Sequence, residues 1–105
     1  VFVSGQASLD PDTHAVVGTD IVTQTVGTIR NIERVLTAAG CRLDDIVKVN
    51  AYLADINDFE LFSLTYSRLL PEPRPARTTV GAALTGILVE IDCVARIPEE
   101  KDAVA

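Results

Sequence analysis

Methionine and tryptophan are missing from this 105-residue chain, histidine occurs once, and cysteine twice. The single histidine, His14, excludes most Ser-His and Cys-His nucleophilic schemes. Cys41 and Cys93 form no CxxC pair and have no histidine cluster nearby, so neither a zinc site nor another metal site is expected. They read instead as buried free thiols of a reducing cytoplasm. Basic residues are scarce, 9 against 15 acidic ones, giving a net charge of −6. That balance opposes nucleic-acid binding, which needs cations to neutralise phosphates. No apolar run reaches the roughly 18 to 20 residues that span a bilayer, and no secretory leader pattern opens the chain, so no membrane association is expected. A start at Val1 without methionine leads us to expect further residues upstream. GxGxxG, P-loop and HExxH motifs are all missing, so no cofactor is expected. Any chemistry must use arginine, carboxylates, hydroxyls, backbone groups and water.

What is present suits one globular domain over residues 1–105, with 48% hydrophobic residues. "VFVSGQASL" reads as a strand ending in the turn chemistry of Asp10-Pro11-Asp12, and "AVVG" as a short returning strand. His14 falls in that turn and reads as a surface residue without a role. From Asp20 to Ala39 the period becomes helical, with Val22, Val26, Ile29, Ile32 or Glu33, and Leu36 on one stripe. Asp20 or Thr19 caps its start, and Gly40 ends it. "DDIVKVNAYLAD" alternates, with Val47, Val49, Ala51 and Leu53 facing one way. A second helix from about Asn57 to Leu70 carries Phe59, Phe62, Tyr66 and Leu69, with Asn57 and Glu60 as a capping box and Pro71 as its stop. A proline-rich link leads to the strand "RTTVGAAL", and Thr85-Gly86 reads as a hairpin turn into the strand "ILVEIDCVARI". The tail "PEEKDAVA" reads as polar and loose.

The predicted order, ββ-α-β-α-ββ, is an α+β fold: a mixed sheet of four or five strands with two helices packed on one face. Only two helices are available, so the other sheet face should bury itself in a homo-oligomer.

Arg77 follows Pro73 and Pro75 at the start of a strand, which either stiffens the approach to an anion-binding fork or simply ends a loop. On the last strand Glu90, Asp92, Val94 and Arg96 share one face, and Ile87, Val89, Ile91, Cys93 and Ala95 the other, which reads as core. The two carboxylates are either surface charges or part of a site. With a hairpin at Thr85-Gly86, Arg77 and Glu90 would share a face about 13 Å apart. Tyr52 and Tyr66 read as core or rim aromatics, and Cys93 as packing. Arg30 and Asn31 read as a polar helix face, and Arg74 reads equally well as flanking a cleft entrance or as an exposed loop residue.

"VFVSGQ", "QTVGTIRNIERVLTAAG", "DDIVKVNAYLADINDF", "PARTTVG" and "LVEIDCVA" together resemble the RidA (YjgF) family of enamine/imine deaminases. The resemblance spans residues 1 to 97, and "PARTTVG" followed by "LVEID" is its most specific part. It implies a YjgF-like, chorismate-mutase-like homotrimer with sheets facing inward and clefts between subunits. It further implies that Arg77 grips a substrate carboxylate, that Glu90 activates water, and that Ser4, Gly5 and Thr79 line the cleft. Thr79 stands where many members have cysteine, and Ser63 where many have asparagine. The link from Arg77 to Glu90 is about two residues shorter than usual. An N-terminal tyrosine of the family would lie before residue 1. The implied reaction is cofactor-free hydrolysis of 2-imino acids to 2-keto acids and ammonia in the cytoplasm. A trimer of the same family that binds small carboxylates without turnover is the alternative. Ribonuclease activity, also attached to the family, is opposed by the net charge and by the small number of aromatics.

Overall fold

A computed structural model describes residues 1–99; the last part of the expected loose tail, residues 100–105, lies outside the described residues. Four strands, β1 (Phe2–Gln6), β2 (Ile46–Leu53), β3 (Ala76–Gly81) and β4 (Val89–Ala95), form one mixed sheet in the order β1-β4-β2-β3. Two helices, α1 (Ile21–Ala38) and α2 (Phe59–Leu69), cover one face. No helix among the described residues is long and apolar enough to cross a membrane.

Helix α1 begins where Asp20 accepts a hydrogen bond from the Thr23 backbone N–H (2.8 Å). It ends where Gly40 takes a positive φ of 79° that favours glycine. Its buried face is shifted from the expected stripe. Gln24, Thr25 and Thr28 are buried beside Ile29, Ile32 and Leu36, whereas Val22 is 37% exposed. The shift has a polar cause. The Gln24 side chain donates to the Gly18 carbonyl (3.0 Å) and accepts from the Leu88 backbone N–H (2.9 Å), joining two loops across the helix. Hydrophobic periodicity does not register such a residue.

Three other expectations change. "AVVG" forms no strand; it contributes one isolated bridge, Leu9 to Val16, because the Asp10 turn closes after two rungs. Val47 is exposed, since a register shift between Ile46 and Lys48 turns Ile46 inward instead. Asn57 and Glu60 form no capping box. Asp55 accepts from the Asn57 N–H (2.9 Å) and caps a short 3₁₀ turn, Ile56–Asp58, ahead of α2.

The largest change concerns β3 and β4. They are not a hairpin: β3 runs parallel to β2, β4 runs antiparallel to β2, and β2 lies between them. β2-α2-β3 is therefore a parallel crossover unit, which needs the helix to return the chain. Residues 82–88 then cross the end of β2, held by Ala82 N–H to the Leu53 carbonyl (2.9 Å) and Ala54 N–H to the Leu88 carbonyl (3.0 Å).

The core lies between the sheet and the helices, on Val3, Val49, Ala51, Leu53, Val89, Ile91, Cys93 and Ala95 from the strands and Leu36, Phe62 and Tyr66 from the helices. The alternation expected for the last strand holds from Val89 onward, while Ile87 precedes it and is half-buried. Gly27 marks the tightest approach of α1 to the chain after β1. A Cβ there would stand 2.0 Å from Ser8 Oγ and 2.9 Å from Ser8 Cβ, and Ser8 is fully buried. Gly27→Ala should therefore cost about 2 kcal/mol by overpacking, despite alanine's better helix propensity. Thermal melting should show a Tm lower by about 10 °C; an unchanged Tm would refute this close fit.

Burial, with the nearby Asp92 charge adding to it, pushes the Cys93 thiol up to about 11. The unfolded thiol gives up its proton near its ordinary value of 9.0, so between these values the unfolded state binds fewer protons. Stability should fall as pH rises from 9 toward 11. Urea unfolding at a series of pH values should show that slope, and Cys93→Ala should flatten it.

Candidate functional site

Arg77 projects from β3 onto the helix-covered face, because its register partner on β2 is the buried Val49. Its guanidinium lies over three rings of α2, 4.7 Å from the Tyr66 centroid, 5.3 Å from Phe62 and 5.7 Å from Phe59. Nη2 donates to Ser63 Oγ at 2.8 Å. Aromatic stacking and one hydroxyl thus hold a half-buried cation in place without an opposing carboxylate. Both ion pairs among the described residues lie elsewhere, Arg42–Asp44 and Arg74–Glu72. Arg74 belongs to the link itself, donating also to the Ser67 carbonyl (2.8 Å). Thr79, two residues beyond Arg77 on the same face, has a buried hydroxyl with no partner among the described residues. The Tyr66 hydroxyl is in the same position, and burial raises its pKa above the usual phenol value while the Arg77 charge works against that rise.

Glu90 lies on the other face. Its register partner on β2 is Tyr52, and its neighbours Val89 and Ile91 point into the core. The expected shared face of Arg77 and Glu90 is therefore corrected: the two are on opposite faces with β2 between their strands, about 10 Å apart across the sheet and about 10 Å along it. Hairpin pairing would have placed them together, and the parallel crossover does not.

Glu90 instead meets β1. A Cβ on Gly5 would stand 2.8 Å from both the Glu90 carboxyl carbon and Oε2, so the carboxylate lies directly over the Gly5 backbone. The register irregularity of β1 between Val3 and Gln6 falls here and admits that approach. Ser4 is adjacent and exposed. Asp92, also on this face, is a structural carboxylate: Asn50 Nδ2 and the Tyr52 hydroxyl each donate to it at 2.9 Å. The hydrogen bond to Asp92 raises the Tyr52 pKa. Glu90 accepts no such bond from any described side chain.

Gly5 and Glu90 border an open cleft of about 530 Å³ that continues along the 9–16 loop and α1 past Asp10, His14, Asn31 and Arg34. The structure thus gathers the five expected site residues into two groups. Arg77 and Thr79 occupy the β3 edge, and Ser4, Gly5 and Glu90 the β1 edge.

Asn31, read from sequence as mere helix polarity, has a specific task. Its Nδ2 donates to the carbonyls of Ala7 and Leu9, both at 2.8 Å, tying the loop after β1 to α1. Ser63, which marks a departure from the pattern, turns out to be the hydroxyl that holds Arg77.

Residues 1–97 match the family described as Endoribonuclease L-PSP. The chain belongs to this family. Its relatives include a RutC family protein of Saccharolobus solfataricus, 44% identical over 98 residues, spanning 91% of this chain and 78% of the relative. RidA from the Antarctic bacterium Psychrobacter superposes with a TM-score of 0.86 at 34% identity, covering 91% of this chain and 79% of that one. The YjgF gene product of E. coli superposes at 0.81 with 30% identity, covering 90% and 77%. The mixed four-stranded sheet with two helices is the fold of this L-PSP/RidA family.

Proposed function

We propose that this L-PSP/RidA family protein hydrolyses reactive 2-imino acids to 2-keto acids and ammonia at sites completed between subunits. One observation carries the reading: a held cation without a carboxylate at the β3 edge, and a carboxylate on bare backbone at the β1 edge, on opposite faces. Within one subunit they cannot serve one small substrate. Each supplies what the other lacks once a second copy brings its edge alongside. An exposed sheet face supports such assembly, since Phe2 is 87% and Val80 42% exposed there. We propose a homotrimer, the form implied by the family resemblance.

In that site Arg77 binds the α-carboxylate of the imino acid through two parallel N–H donors. Thr79 Oγ1 is placed to hydrogen-bond the same end. Glu90 of the adjacent copy accepts a proton from water as the water oxygen attacks the C=N carbon. The C–O bond forms, the electron pair moves to nitrogen, and the proton taken up by Glu90 passes to that nitrogen. The resulting carbinolamine loses ammonia as the C–N bond breaks and the carbonyl forms. Water and the imino acid are thereby converted into keto acid and ammonia in balance. Such imines also hydrolyse unaided, so one positioned water and one anchored carboxylate suffice. RNA as a substrate is opposed by the net charge of −6.

The test is 2-iminobutanoate and 2-iminopropanoate generated in situ by an amino-acid oxidase, with keto-acid release followed in the presence of semicarbazide as a competing trap. Accelerated release that depends on protein concentration supports deamination. A folded oligomer that binds 2-oxobutanoate but gives no acceleration transfers the assignment to a small-carboxylate-binding protein.

A further inference from the structure

The 530 Å³ cleft that begins at Glu90 exceeds what a four-carbon imino acid fills, falling within the range that encloses drug-sized ligands. Its far end has a definite chemistry. Arg34 lines it, with Nη1 donating to Asn31 Oδ1. Asn31 is itself fixed by its two bonds to the Ala7 and Leu9 carbonyls, so it positions Arg34 along the cleft wall. The rest of the Arg34 fork has no ion-pair partner among the described residues.

His14 lines the same end and has a φ of 64°, the only positive φ of a non-glycine among the described residues. Such a conformation is disfavoured for a side chain and persists only where surrounding bonds impose it. Those bonds are present. The His14 N–H donates to the Asp10 carbonyl (2.9 Å), and Asp10 N–H donates to the Ala15 carbonyl (2.8 Å). Asp10 also lines the cleft, but its Oδ1 already accepts from the Asp12 and Thr13 N–H groups, both at 2.9 Å. Those two backbone bonds, foremost the one from Thr13, keep its carboxyl below the usual range, and the Arg34 charge adds a smaller effect of the same sign. Asp10 is thus held by the loop backbone, and Arg34 stays outside any ion pair with it.

We infer that Arg34, positioned by Asn31 and assisted by His14, is a second carboxylate anchor that selects 2-imino dicarboxylic acids. The inference rests on the deaminase reading, with Arg77 at one carboxylate and Arg34 at the other. Two guanidinium groups then match the two negative charges of such a substrate, and the C=N carbon lies between them beside Glu90.

The test compares kcat/KM for 2-iminoglutarate and 2-iminobutanoate, both generated in situ, in wild type, Arg34→Met and Arg34→Lys. Wild type should prefer the dicarboxylic imine by about tenfold or more, as an added charged hydrogen bond allows. That preference ratio should collapse in Arg34→Met and recover in part in Arg34→Lys. A wild type without the preference, or an Arg34→Met variant that keeps the ratio, overturns the inference. Calorimetric binding of 2-oxoglutarate and 2-oxobutanoate to the same proteins separates the two readings. Loss of all turnover with an Arg34-dependent preference for 2-oxoglutarate sinks the deaminase assignment and upholds the anchor. Equal binding of the two keto acids sinks the anchor.

Discussion

Arg77→Ala is expected to lower kcat/KM for 2-iminobutanoate by about a thousandfold while leaving the protein folded. Two hydrogen bonds from a guanidinium to a carboxylate contribute on the order of 2 kcal/mol each, which multiplies to that factor. Stability should change less. The guanidinium is half-buried and stacks on Phe59, Phe62 and Tyr66, so its loss removes cation–π contacts of about 1 kcal/mol in total and leaves no buried charge unpaired. Arg77→Lys separates charge from geometry, since an ammonium has the charge but not the planar fork. It should recover only part of the loss. Single-substrate kinetics with both variants, beside thermal melting, checks the claim; an Arg77→Ala enzyme within about tenfold of wild type would remove Arg77 from substrate binding.

Ser63→Ala gives a smaller effect of the same kind. Ser63 Oγ is the one hydroxyl that accepts from Arg77, so its removal loosens the guanidinium without removing it.

The fold was legible where one residue type repeats at one period. α1 could be placed between Asp20 and Gly40 because a capping acid and a terminating glycine bracket a helical stripe. The inward face of β4 could be read from Val89, Ile91, Cys93 and Ala95 because both its neighbours bury the same side. What could not be read was strand neighbourhood. Alternation assigns residues to two faces of a strand, but which face of β3 matches which face of β4 depends on what lies between them. "LTGI" carries the turn chemistry of a hairpin, and nothing local to it reveals that β2 occupies the intervening position. The error placed Arg77 and Glu90 on one face, and its correction is what divides the site in two.

Polar residues with long-range tasks were equally opaque. Gln24 and Asn31 each bridge elements distant in sequence, yet a helical period counts them as background. His14 could be recognised only through its φ, because Asp-Pro-Asp-Thr announces a turn without saying which residue must adopt the left-handed conformation. The residues named from the family pattern fall into two groups on opposite faces of the sheet, a separation that strand alternation alone did not reveal.

That division leads to the second large expected effect. Glu90→Gln keeps the size of the side chain and removes its capacity to accept a proton, and alone it should lower kcat by about a hundredfold or more. Arg77→Ala and Glu90→Gln proteins, each almost inactive, are then denatured together at equal amounts and refolded. If Arg77 of one subunit works with Glu90 of the next, some boundaries in the mixed assembly pair an intact Arg77 from the Glu90→Gln chain with an intact Glu90 from the Arg77→Ala chain. Random assembly makes about one boundary in four of this kind, so activity should return to about a quarter of wild type. A site contained within one subunit predicts no recovery, because every chain carries a lesion in its own site. The geometry favours recovery, since the carboxylate over Gly5 and the cation over Tyr66 are separated by the thickness of the sheet as well as by β2. Mixed assemblies that remain as inactive as their parents would refute the shared site even if both single variants behave as expected.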